Sequence, residues 1–174
     1  MFSNHQISEQ TLPDFTQADF KPLDKLASKE ALIGTFVFLL PASIAVVIFL
    51  YFLSPVENII TALVAGALVL INLYVAWFTK RSVAMTSIAL REHDLLLKRG
   101  VFWQRTIAIP FNRVQHIETH RNPIERKLKL ATLKLFTAGG AGADLEIHGL
   151  SQERASKLRQ FILANTASER HDDE

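Results

Sequence analysis

The chain contains no cysteine. That absence removes disulfides, thiolate nucleophiles and thiolate metal sites together, and it agrees with a reducing compartment. Charge is missing over two long runs as well. Residues 31–53, ALIGTFVFLLPASIAVVIFLYFL, and residues 59–78, IITALVAGALVLINLYVAWF, hold no Asp, Glu, Lys or Arg. At 1.5 Å per residue they make helices of roughly 34 and 30 Å, each sufficient to cross the hydrocarbon core of a bilayer. A remainder of roughly 90 soluble residues is too small to sheath two such helices in a protein core. The first 30 residues are polar and mixed in charge, and the run that follows exceeds a signal peptide's apolar region, so the first span is expected to be a retained anchor.

The link between the spans, residues 54–58, lacks Lys and Arg, while Lys21, Lys25 and Lys29 precede the first span and Lys80 and Arg81 follow the second. The positive-inside rule then places both termini in the cytoplasm and the short link outside, in a multi-pass protein of the inner (plasma) membrane. Residues 1–30 read as a largely flexible cytosolic segment. Pro41 removes the backbone bond to the Val37 carbonyl and predicts a kink, with Ser43 placed to re-satisfy the backbone. Ala62 and Gly66 form a small-xxx-small pair where the helices could approach closely. Tyr74 and Trp77 belong to the inner interface. Asn72 is the strongly polar residue of the second span and reads as interhelical glue; no intramembrane charge is present to relay protons or hold an ion, which argues against transport by this chain alone.

After Ser82 the period changes from helical to alternating. Strands are predicted over 84–90, 95–98, 103–109, 114–121, 133–137 and 143–148. Arg99-Gly100 supplies a turn between the second and third. Val114 and Ile117 are three apart and cannot share one face of a regular strand, which calls for a bulge or for burial on both faces. Asn122 and Pro123 fit the N-cap and first position of a short helix with Ile124 and Leu128 as its buried edge and Arg126, Lys127 and Lys129 outside. Ser151 caps a final helix whose stripe is Ala155, Leu158, Phe161 and Ile162. A small α+β domain is therefore expected at 82–165, with an acidic flexible tail at 166–174.

Other motifs carry less. AGGAGAD, residues 138–144, lies between strands with no helix opening after it, so it has neither Rossmann nor P-loop context and reads as a hairpin loop. His116 and His120, four apart on a strand, stand about 13 Å from each other. No HExxH occurs, so neither a metal nor a general base is expected there, and no catalytic residue or cofactor is predicted. Charge says more. Between residues 79 and 166 there are 15 Lys and Arg against 7 Asp and Glu, an excess that the whole-chain value of +2 conceals. Anionic lipid attracts such a domain. Nucleic acid is not expected, because stacked-aromatic and recognition-helix patterns are missing. The candidate docking residues are Arg126, Lys127 and Lys129, with Lys80 and Arg81 at the membrane.

Two spans followed by MTSIALREHDLLLKRGVF, IPFNRVQHIETHRNPIERKLKLATLKLFTAGG and LEIHGL resemble the bacterial membrane-flanked proteins with a pleckstrin-homology-like (PH-like, bPH2) domain of the YdbS type. The likeness runs from about residue 25 to 165 and rests on Arg99-Gly100, Ile109-Pro110 before Val114-Gln115, and Ile124-x-Arg126 before Leu130-Ala131. The family commonly has Gly where Lys129 stands, so a tighter or differently shaped turn is expected there. The resemblance implies a partly open β-barrel closed at one end by the C-terminal helix. It also implies a larger membrane protein with repeated PH-like domains as a neighbour, and leaves a homo-oligomer open. It supplies no catalytic residue. The function expected is a non-enzymatic membrane-anchored module that binds protein partners, with anionic headgroups as a further ligand class. The alternative is an accessory subunit of a membrane transport or export complex.

Overall fold

The computed structural model describes residues 18–52, 58–137 and 144–172. Two helices, α1 (Ala27–Phe52) and α2 (Asn58–Ala84), form an antiparallel hairpin. Both are long and apolar enough to cross a membrane, and their apolar windows are almost entirely unburied by protein, unlike those of a soluble core helix. Each is longer than its charge-free run. Asp24 starts α1 early, its carboxylate accepting from the Leu26 N–H and its carbonyl from the Ala27 N–H. At the other end α2 carries Lys80 and Arg81 on its last turns and reaches Ala84.

The contact between the helices differs from the expected one. Along α2 the protected positions include Thr61, Val64, Ala65, Leu68, Asn72, Val75, Ala76 and Thr79, a helical stripe that faces α1. Gly66 has no atom within 4 Å of where a Cβ would stand, so the Ala62/Gly66 pair points away from α1. Thr61 and Asn72 occupy the seam instead. Asn72 does join the helices: its amide donates to Ser43 Oγ at 3.1 Å and to the Leu68 carbonyl at 2.8 Å. Helix α1 continues through Pro41, and the Ser43 hydroxyl donates to the Leu39 carbonyl at 2.8 Å rather than serving Val37.

Two residues after α2 the first domain strand begins. Strands β1 (Lys21–Pro22), β2 (Ser87–Leu90), β3 (Asp94–Arg99) and β4 (Arg105–Pro110) make one antiparallel sheet in that order. A 3-10 turn, Phe111–Arg113, leads to a second sheet of β5 (Val114–His120), β6 (Leu130–Thr137) and β7 (Leu145–Ser151). Helix α3 (Pro123–Leu128) joins β5 to β6, and α4 (Gln152–Asp172) closes the chain. The sheets share one core but do not close into a barrel: the turn at Phe111 ends the first ladder, and β4 and β5 are not paired. Ile88, Leu95, Leu97 and Ile109 from the first sheet meet Ile117, Leu133, Leu135 and Ile147 from the second, under Ala155, Leu158 and Ile162 of α4. Phe161 lies at the margin of that stripe, edge-on to Phe111. The register shift between Val114 and His116 is the bulge that lets both Val114 and Ile117 turn inward.

Two end segments differ from expectation. Residues 18–26, expected to be flexible, are tied to the domain. Lys21 and Pro22 pair with Ile88 and Ser87 on the edge of β2, Arg154 Nη1 donates to the Pro22 carbonyl at 2.6 Å, the Asp24 N–H donates to the Gly149 carbonyl at 3.1 Å, and Leu23 packs on the core. A two-residue strand has no period to read, so tertiary pairing alone defines it. The tail expected from residue 166 is helical through Asp172, since no Gly or Pro interrupts residues 152–172. The glycine loop 138–143, the link 53–57 and residues 1–17 lie outside the described residues.

Candidate docking face at the membrane-proximal end

Helix α3 is built by a reciprocal cap. Asn122 Oδ1 accepts from the Glu125 N–H at 2.8 Å, and Glu125 Oε2 accepts from the Asn122 N–H at 2.7 Å. This capping box satisfies two donors that a helix start otherwise leaves open. It also turns Glu125 inward, where it is 1% exposed and accepts from the Thr132 hydroxyl at 2.5 Å. Ile124 and Leu128, the expected buried edge, are only half-buried. The most buried side chain of the helix is thus an acid. Thr132 Oγ1 lies 3.0 Å from His148 Nδ1, which extends the network to β7.

Arg126, Lys127 and Lys129 are exposed, as their positions in the sequence suggest. Asn122 Nδ2 donates to Glu30 Oε1 of α1 at 3.3 Å, so α3 stands beside the charged start of the first long helix. Lys80 and Arg81 occupy the corresponding end of α2 and are exposed too. All five candidate residues therefore belong to elements at the domain's junction with the hairpin. Lys129 takes φ +56°, ψ +33° and caps α3, its N–H directed at the Arg126 and Glu125 carbonyls. The turn keeps the left-handed shape that Gly adopts without steric cost. At this position a non-glycine residue carries steric strain that Gly would not.

The same junction encloses a cleft of about 460 Å³, walled by Glu30, Arg99, Trp103, Arg105, Glu146 and His148. Glu146 Oε1 pairs with Lys134 Nζ at 2.8 Å across β6 and β7, and Glu146 Oε2 lies 3.3 Å from His148 Nε2. The Lys134 hydrogen bond, aided by the charges of Lys134, His148 and His120, holds the Glu146 carboxyl below the usual carboxylate range. His116 and His120 stand at register positions opposite Phe136 and Thr132, and His116 meets Glu118 at 3.2 Å. Trp103 was expected in a strand. It lies instead in the loop before β4, where Val101, Phe102 and Trp103 are three consecutive apolar residues that one pleated face cannot bury. That run was the available signal.

The model for the bacterial PH domain (bPH_2) matches residues 35–166. The chain belongs to that family. Among curated proteins, this PH-domain chain is 35% identical over 71 residues to the UPF0699 transmembrane protein YdbS of Bacillus subtilis (strain 168), a match covering 41% of this chain and 43% of that one. The match therefore spans less than half of the relative's length. A crystal structure of a DUF1696 family protein with a pleckstrin-homology domain from Shewanella loihica PV-4 is also similar, at 18% identity over 47% of this chain and 70% of that one, with a TM-score of 0.38. The family and the two apolar helices make this a membrane-associated PH-like module.

Proposed function

We propose that this bacterial PH-domain protein is a docking module held at the cytosolic face of the inner membrane, both termini inside, where its basic edge binds a protein partner. One observation carries the reading. The domain is attached to the hairpin from both sides: α2 enters β2 after Met85 and Thr86, while α1 is fixed to β7 and α3 through Gly149 and Asn122. So attached, the domain has little freedom to turn away from the bilayer, and Arg126, Lys127 and Lys129 are presented in one orientation. A partner confined to the same membrane meets that edge at high effective concentration. An acidic surface on a larger membrane protein with PH-like domains is the partner class that the charge favours.

The test is co-purification of the full chain in mild detergent. Reversal of Arg126, Lys127 and Lys129 to Glu should leave folding and abundance near wild type, because exposed charges contribute little to stability. Partner recovery should fall, and the wild-type advantage should shrink as salt screens it. Unchanged recovery at low salt would show that the edge is only a solvated surface.

A further inference from the structure

The loop between β3 and β4 presents an apolar tip that the described residues leave largely exposed. Phe102 is 64% exposed and Trp103 82% exposed. The loop's shape is imposed by Gly100 at φ +121°, where a Cβ would stand 2.0 Å from the Trp103 carbonyl oxygen. The tip is not isolated. The Phe102 ring stacks on Phe78 of α2 at 6.0 Å, Phe78 stacks on Tyr74 at 6.2 Å, and Trp77 lies 6.0 Å from Tyr74. A row of aromatic rings thus runs from the long helix onto the domain.

Depth follows from helix geometry. Phe78 lies twenty residues beyond Asn58, the start of α2. That is about 30 Å of helix, the thickness of the hydrocarbon core. Phe78 therefore falls at the interface through which α2 leaves the bilayer, with Lys80 and Arg81 just beyond. Phe102, in contact with it, shares that level.

Charge at the base of the tip points the same way. Arg99 and Arg105 are direct cross-strand partners, and both are exposed. Like charges placed opposite each other destabilise a strand pair. Among the described residues neither has an ion-pair partner. An anion between or beside them would relieve the repulsion.

We propose that the β3–β4 tip enters the headgroup layer of the bilayer, with Phe102 and Trp103 at the interface and Arg99 and Arg105 on the phosphates of anionic phospholipids. Apolar and indole surface at this depth is favoured for the same reason as the aromatic belts of spanning helices, and the arginines add attraction to an anionic leaflet. The tip then acts as a third point of membrane attachment that sets the roll of the domain. This inference rests on the membrane attachment proposed above, but not on the partner edge.

The experiment uses the full chain in nanodiscs. Trp77→Phe leaves Trp103 as the sole tryptophan, since the chain has two. Trp103 emission should be blue-shifted, poorly quenched by aqueous acrylamide and strongly quenched by a nitroxide carried on the lipid near the headgroup. The lipid-borne quenching should be greater in phosphatidylglycerol than in phosphatidylcholine discs, and Arg99→Glu with Arg105→Glu should abolish that difference. Because the chain has no native cysteine, Phe102→Cys carrying an environment-sensitive dye reads the same depth with both tryptophans intact. Water-like emission from both probes, with no quenching from the lipid, would overturn the proposal, whereas a lipid-quenched tip with unchanged partner recovery after reversal of α3 would uphold it and count only against the partner edge.

Discussion

Glu125 shows how one side chain can invert a helix. On apolar spacing alone, Ile124 and Leu128 define the inner edge of α3, yet the carboxylate between them is the group at 1% exposure. Its burial is offset by hydrogen bonds from the Asn122 N–H and the Thr132 hydroxyl, so the acid is satisfied where an unpartnered one would be costly. Glu125→Ala would leave the Asn122 N–H without its acceptor, remove the bond from the Thr132 hydroxyl and take away half of the capping box. The expected loss is about 2 to 4 kcal/mol. Leu128→Ala, at a half-buried site, should cost less, about 1 to 2 kcal/mol, below the range for a fully buried leucine. Thermal unfolding of the full chain in detergent ranks the two variants. A larger loss for Leu128→Ala would mean that apolar packing, not the cap, holds α3 in place.

At the scale of elements, the end of α3 separates stability from docking. Lys129 sits in the left-handed region, which costs a non-glycine residue roughly 1 to 2 kcal/mol, while Gly loses about 0.4 to 1 kcal/mol through the unfolded chain. Lys129→Gly should therefore raise stability by up to about 1 kcal/mol. It should lower partner recovery at the same time, because one of the three edge cations is gone. Lys129→Val keeps the loss of charge but puts a β-branched residue at positive φ, and should destabilise by about 1 to 2 kcal/mol. A chemical-denaturation series that placed Gly below Lys would refute the strain assigned to this turn. The strands of the domain follow from alternation, and the bulge follows from the spacing of Val114 and Ile117. β1 does not, because a pair of residues on a sheet edge exists only through its partner. The β3–β4 tip does not follow either: Trp103 continues an alternating pattern, but it is one of the five residues, Gly100 to Gln104, that form the loop between Arg99 and Arg105.

For the whole molecule, sidedness decides whether the basic edge meets a cytosolic partner. Single cysteines introduced at Ser54 and Ser168 of a chain that has none should label oppositely with an impermeant maleimide. Ser54 should react on intact cells and Ser168 only after lysis, and labelling of both from outside would reverse the proposed orientation. The composition determined the two long helices, the soluble α+β domain and the basic bias of that domain. These depend on the identity of consecutive residues: twenty uncharged apolar side chains favour a bilayer wherever they point, and alternation commits one strand face to a core. Tertiary structure decided how the parts meet. It turned Glu125 inward and the Ala62/Gly66 pair outward, tied residues 18–26 to the edge of β2 and to Gly149, and brought Phe102 onto Phe78 and Arg99 opposite Arg105. Such contacts join residues far apart in the chain, and their energy depends on partners that no local pattern names. The proposed docking surface depends on such contacts, so its residues could be read from the sequence only as charges, and their arrangement beside the helical hairpin only from the fold.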